Sequence, residues 1–245
     1  MIRLGITGTD TGVGKTLVAR AIAAALRRRG LKVVAMKPVE TGVSFDDPAR
    51  DGVLLAQAAG ETRPLSVVAP LTFAHPIAPL AAARQSGSPI DIAVLDAAIR
   101  DAVAGADALV VEGAGGLLVP VTEHFAFDAL FARWSLDLVV VAANRLGVVN
   151  HTRLTLAAAR AGGLTVRAVV LNHLTPTASD VSVSGNATLI ADLENVPVIE
   201  LPFQPDPGDL ASVATSAEEC GLVVHLSSLE RSDNTSSGSN EGSFR

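Results

Sequence analysis

The 245 residues suffice for one large domain or two small ones, and with 49% hydrophobic and 18% charged residues a substantial core is expected. A formal net charge of −6 argues against a non-specific nucleic-acid binder, which would carry a basic patch, although local loops can still hold small anions. The single cysteine, Cys220, excludes an intramolecular disulfide; with no secretory leader and no apolar run of the ~18 residues that span a bilayer, a soluble, cytoplasmic protein is expected.

Residues 2–7 predict an apolar strand and 15–28, rich in Ala and Leu, a helix. Between them lies Gly8-Thr9-Asp10-Thr11-Gly12-Val13-Gly14-Lys15-Thr16. A strand, a glycine-rich turn and a helix opening on Gly-Lys-Thr make a phosphate-binding loop. The turn's N–H groups and the helix N-terminus offer positive partial charge to a phosphate. Lys15 can reach the β- and γ-phosphates, and the Thr16 hydroxyl can ligate a Mg²⁺ ion that bridges them. The general pattern wants glycine at position 9, where this chain has Thr9; the glycine stands one place earlier, at Gly8. A dinucleotide fingerprint is excluded, because Gly-Lys-Thr occupies the helix start.

A second strand over 32–36 ends on Lys37-Pro38-Val39-Glu40-Thr41-Gly42. Lys37 can stabilise charge in phosphoryl transfer or hold an anionic substrate; taken alone it also reads as a solvated strand-end lysine. Asp51 opens a helix over 51–59 and can be an N-cap or a metal ligand, the local sequence favouring the cap. The proline-rich stretch 64–89 reads as a connection carrying one short helix over 80–84. After a helix over 91–104, a strand over 108–112 ends on Glu112-Gly113-Ala114-Gly115-Gly116. A carboxylate there is the usual second Mg²⁺ anchor, and the glycines let backbone pass close to ligand.

A helix over 126–133, a strand over 136–142, a helix over 150–161 and a strand over 166–171 follow. Asn172-His173 comes next: the asparagine can read adenine through its paired donor and acceptor, and the histidine reads as a loop residue. A helix over 184–193, a strand over 198–200 and a helix over 209–218 complete the alternation. None of the five histidines shows metal-ligand spacing with a second ligand, and Cys220, in neither a basic nor a glycine-rich setting, reads as a quiet helix-end residue. Residues 227–245, rich in Ser, Asn, Gly and charge, are expected to be a disordered tail, leaving one domain over 1–226. The expected fold is α/β: a doubly wound, mostly parallel sheet flanked by helices, of the P-loop NTPase kind. Ligands in such sheets bind beyond the C-terminal ends of the strands.

Taken together these motifs resemble the dethiobiotin synthetase family. The loop at 8–16, including Thr9, looks like that family's own variant. Lys-Pro-Val-x-Thr-Gly appears at 37–42, Val-Glu-Gly-Ala-Gly-Gly at 111–116 and Leu-Gly-x-x-Asn-His at 146–151, so the resemblance covers about residues 2–225. It implies an ATP- and Mg²⁺-dependent ring closure in biotin synthesis, acting on 7,8-diaminononanoate and CO₂ or bicarbonate. One amine takes up CO₂, ATP phosphorylates the carbamate, and the second amine attacks to close the ureido ring.

By the same resemblance Lys15 and the amides of Gly12, Val13, Gly14, Thr16 and Leu17 should hold phosphates. Thr16, Asp51 and Glu112 should hold Mg²⁺, with Gly113, Ala114 and Gly115 lining the nucleotide. Lys37, with Lys15, should act at the carbamate and the transferred phosphate. Thr11 and Thr41 should contact the diamine. Asn172 should read adenine, with His173, Pro202, Phe203 and Gln204 beside it and Asp209 near the nucleotide. Gly147, Val148, Val149 and Asn150 should bind the substrate carboxylate across a homodimer interface. Gly12 departs from members with Glu there, and Ala78-Pro79-Leu80 departs from a common Ser-Pro-His. Two rivals remain: a deviant phosphate-loop ATPase, whose signature Lys would stand where this chain has Asp10, and a non-catalytic nucleotide switch, which would leave Lys37 and the Asn150 motif without a role.

Overall fold

A computed structural model describes residues 1–176, 181 and 183–227. The expected tail lies, from 228 on, outside the described residues. β1 (Ile2–Gly8) leads through the glycine-rich loop into α1 (Lys15–Arg28). Next come β2 (Val33–Met36), β3 (Val39–Thr41), α2 (Asp51–Ala59), α3 (Leu65–Val68), β4 (Leu71–Phe73), α4 (Pro79–Ser86) and α5 (Ile92–Val103). β5 (Ala108–Gly116), α6 (Phe127–Arg133), β6 (Asp137–Ala143), α7 (Val148–Ala161), β7 (Val166–Asn172), α8 (Asn186–Glu194), β8 (Val198–Leu201), α9 (Leu210–Glu219) and α10 (Leu222–Ser227) follow.

Six strands form one sheet in the order β2-β5-β1-β6-β7-β8, every neighbouring pair parallel. β1 is central: Leu4 sits between Val110 of β5 and Asp137 of β6. The loop after β1 therefore opens at the middle of the sheet's C-terminal edge, where ligands bind in such folds.

The strands are near-continuous apolar runs because both faces are covered. Val139 and Val141 pack toward α1, α9 and α10, while Val140 and Ala142 pack toward α7 and α8. Leu109 and Val111 of β5 meet a third cluster with Leu95 and Ile99 of α5 and Phe131 of α6. α1 buries ten of its fourteen residues, five of them alanines, so its axis can lie close to the sheet. That closeness fixes where Lys15 and Thr16 start.

The expected parallel sheet and its main strands and helices are present, with shifts of one or two residues at several ends; β5 alone runs four residues past its expected end, through the glycines to Gly116. The stretch 64–89 holds more than one short helix: α3, β4 and α4 lie there. β4 pairs in parallel with β3 as a second, two-stranded sheet, Glu40 opposite Thr72. Pro38, which has no N–H to give a ladder, separates β3 from β2. α7 begins two residues before its expected start, because Gly147 at φ 91° turns the chain into the helix.

Candidate active site

The loop after β1 is held open by two left-handed glycines, Gly12 at φ 75° and Gly14 at φ 91°. Gly14 is also the place of closest approach. A Cβ there would stand 2.1 Å from the Asn172 side-chain amide, which donates to the Val13 carbonyl at 3.0 Å. Val13 is buried and Leu17 packs partly against the core, so this turn is fixed from below. Lys15 folds back over it, its ammonium donating to the Asp10 carbonyl at 3.2 Å. Burial first, and the nearby Lys37 charge second, pull the Lys15 ammonium below its ordinary pKa. Thr11 stands exposed at the rim, its N–H on the Asp10 carboxylate at 2.7 Å.

Two strands and two helix starts bring three charged side chains and a hydroxyl together here. Lys37, just past β2, pairs with Glu112 Oε1 in β5 at 2.6 Å and with Asp51 Oδ2 at the start of α2. The Thr16 hydroxyl donates to the same Glu112 oxygen at 2.9 Å. Burial opposes the Lys37 charge, but Glu112 and Asp51 outweigh it and raise its pKa, so the amine stays an ammonium. Burial works against the Asp51 carboxylate too, and Lys37 again wins, holding it below the ordinary carboxyl range. Glu112 is fully buried, and burial pushes its carboxyl upward despite Lys37.

Glu112 Oε2 is buried without a hydrogen-bond partner among the described residues. A partnerless carboxylate oxygen is costly unless something positive meets it. With Thr16 and Asp51 it forms an all-oxygen donor set of the kind Mg²⁺ takes, waters and phosphate filling the rest. The residues present fit that ion.

The glycine run after Glu112 divides in two. A Cβ on Gly113 would meet the Phe131 and Phe127 rings at 3.1 and 3.3 Å, and Ala114 is buried among apolar side chains; both face the core. Gly115, at φ 70°, and Gly116 face the phosphate loop, close to the Thr11 hydroxyl and the Gly8 carbonyl respectively.

Around β7 and β8 lies a polar cluster. Asn172 is fully buried, and its Oδ1 has no partner among the described residues. His173 Nε2 lies 2.8 Å from Glu200 Oε2, which also accepts from Asn144. Past β8, Gln204 folds onto the Pro202 carbonyl at 2.8 Å and accepts from Ser216, with Phe203 between them in sequence. Asp209 is the N-cap of α9, accepting from the Ala211 and Ser212 amides. Thr41 ends β3 and is half-buried.

Gly147, Val149 and Asn150 line a separate groove of 840 Å³ with Leu146, Leu154 and Leu193. Val148, between them, turns inward and is buried. Within one chain this groove is not part of the cluster around Lys37.

Sequence reasoning missed one buried pair beside the site, Glu40 with Arg50. Arg50 Nη1 donates to Glu40 Oε2 at 3.2 Å and to the Thr72 hydroxyl at 2.7 Å, under the Phe45 ring. A glutamate inside the short apolar run after Lys37 was the available signal.

The fold and this cluster define a phosphate-loop nucleotide-dependent enzyme. A family model described as an AAA domain matches residues 3–208. The chain is 46% identical to the ATP-dependent dethiobiotin synthetase BioD of Anaeromyxobacter dehalogenans (strain 2CP-C) over 90% of its own length and 96% of that protein's. It is 37% identical to the protein of that name from Aquifex aeolicus (strain VF5), over 82% and 89%. The chain belongs to the ATP-dependent dethiobiotin synthetase family. Among solved structures, the MinC:MinD cell division protein complex of Aquifex aeolicus shares the fold at TM-score 0.53 and 14% identity, covering 100% of this chain and 99% of that one. The signal recognition particle receptor FtsY of Elizabethkingia anophelis does so at TM-score 0.52 and 18% identity, this chain covering 64% of its length with 88% of its own.

Proposed function

We infer that this chain is an ATP-dependent ligase that closes the ureido ring of dethiobiotin from 7,8-diaminononanoate and CO₂, releasing ADP and phosphate. The observation that carries the reading is Lys37, buried between Glu112 and Asp51 beside a phosphate-binding loop. A simple nucleotide switch has no use for a second buried lysine there. The deviant phosphate-loop ATPases need a lysine where this chain has Asp10.

On this reading the amides from Gly12 to Leu17 and the Lys15 ammonium hold the β- and γ-phosphates. Thr16, Asp51 and Glu112 hold Mg²⁺. The ion, when bound, neutralises charge on the phosphate oxygens. Lys37 orients the carbamate against the γ-phosphate and offsets charge as the phosphoryl group moves. Thr11 and Thr41 hold the diamine. The free Oδ1 of Asn172 is an acceptor for the adenine amino group, with His173, Pro202, Phe203 and Gln204 around the base. Gly115 borders the nucleotide more directly than Gly113 or Ala114, and Asp209 is committed first to its cap. The groove at Gly147–Asn150 takes the substrate carboxylate of a partner subunit in a homodimer. The net acidity and the family support a cytoplasmic enzyme, and no helix among the described residues is long and apolar enough to cross a membrane.

The test is ATP hydrolysis followed with each reactant left out in turn. Turnover is expected only when Mg²⁺, the diamine and bicarbonate are all present. Lys15→Ala should lower the rate by on the order of 10²-fold or more, since a charge aimed at the transferring group is lost. Turnover without the diamine would overturn the ligase reading, and near-normal turnover in Lys15→Ala would overturn the assignment of the loop.

A further inference from the structure

Asp51 stands at the first residue of α2, and a helix start needs its N–H groups satisfied. Ordinarily the N-cap side chain does this. Here the N-cap is Arg50, whose side chain makes no cap bond. The Gly52 N–H is instead met by a carboxylate from another element: Glu40 Oε1 in β3, at 2.8 Å. Its other oxygen, Oε2, accepts from Arg50 Nη1. The same Nη1 reaches Thr72, the residue opposite Glu40 on β4.

We propose that Glu40, held by Arg50, is a positioning residue: it caps α2 from outside and so sets where the Asp51 carboxylate stands against Lys37. This rests on the reading of Asp51 given above. Four observations support it. Glu40 and Arg50 are each about 1% exposed, so neither bond competes with solvent. A Cβ on Gly52 would stand 2.6 Å from the Ala69 Cβ and 3.0 Å from Glu40 Oε2, so the strand and the helix start meet with no room to slide. The negative charge of Glu40 lies at the positive end of α2, the favourable sense. Finally, Glu40 is three residues from Lys37. One short stretch thus supplies both the ammonium that Asp51 faces and the carboxylate that fixes the backbone beside Asp51.

A buried ion pair can often be replaced by apolar residues of similar volume with little loss of stability. The double variant Glu40→Leu/Arg50→Met should therefore fold while losing the outside cap. Glu40→Gln keeps one acceptor for Gly52 and should fall between it and the wild type. Three readouts are needed on the full chain: the melting temperature, ADP affinity without metal by calorimetry, and Mn²⁺ binding in the presence of ADP by electron paramagnetic resonance. The expected result is roughly tenfold weaker Mn²⁺ binding in the double variant, as for other residues that orient a metal ligand. Metal-free ADP affinity should be unchanged and the melting temperature within a few degrees. Dethiobiotin formation should then require correspondingly more Mg²⁺. Asp51→Asn separates the two ways of failing. If Asp51→Asn leaves Mn²⁺ binding unchanged, the role of Asp51 falls and the proposal with it. If Asp51→Asn weakens binding but folded Glu40→Gln and the double variant both bind Mn²⁺ like wild type, the positioning role alone is wrong.

Discussion

Two lysines in one pocket repel each other, and the structure answers each differently. Lys37 is surrounded by carboxylates and keeps its charge, whereas Lys15 is bonded to a carbonyl and has its pKa drawn down by burial and by Lys37. An incoming triphosphate supplies the negative charge that Lys15 lacks, so Lys15 is suited to binding. Lys37 already has partners, and its charge is needed most when negative charge shifts in the transition state. Lys37→Ala should therefore lower kcat by on the order of 10²-fold, the loss seen for one aimed donor, and leave ATP affinity within a few-fold. Calorimetric affinity beside kcat decides it. Affinity that collapses while kcat survives would make Lys37 a ground-state nucleotide ligand.

The elements around the site are tied by charge as well as by packing. Glu194, at the end of α8, accepts from Arg153 and Arg160 of α7, and Arg160 also caps the Glu194 carbonyl. Hydrogen bonds from Arg153 first, then Arg160, hold the Glu194 carboxyl below its ordinary pKa. A carboxyl depressed on folding stabilises the protein above its unfolded pKa, roughly 4.3, and loses that contribution as pH falls through the folded value. Both arginines are about half exposed, which discounts the pair to about 1 kcal/mol, or roughly 2–4 °C for a chain of this size. Glu194→Gln should melt lower than wild type by that amount at pH 7, and the gap should close below about pH 4. A gap independent of pH would mean that the charge of Glu194 does not matter. Such ties across sequence are also what sequence patterns do not carry. α1 and α2 can be read at their observed bounds from alanine-rich periodicity, Gly60 as a C-cap, and Lys-Thr or Asp at the start. The bond from Lys37 to Glu112 spans 75 residues, and no local signal announces it. β3 and β4 are three residues each, too short for a period to show, and they lie among prolines that usually mean loop. The glycines after Glu112 share one motif, yet a Cβ on Gly113 would meet the Phe131 and Phe127 rings while Gly115 and Gly116 border the phosphate loop, a division that depends on which distant elements pack against each position.

At the scale of the whole molecule the candidate site residues fall in two separate places. The cluster around Lys37 lies at the strand ends, while Asn150 lines a groove whose Leu146, Leu154 and Leu193 are 84%, 63% and 52% exposed. Contiguous exposed leucines of this kind mark an interaction surface. A two-fold dimer that covers them would bring the Asn150 of one subunit to the diamine held by the other, and symmetry then has a sharp consequence. Consider one protein with Lys15→Ala and another with Asn150→Ala. In each homodimer both sites carry a defect. In the mixed dimer one site receives both defects and the other neither, so it is a wild-type site. Mixing the two inactive proteins under conditions that let subunits exchange should restore activity to at most a quarter of the wild-type level, because half of a statistical mixture is mixed dimer and each has one intact site. Native mass spectrometry of the mixture reports the exchange. Full exchange with no recovered activity would mean that each site is built within a single chain, and that the leucine-lined groove serves some other contact.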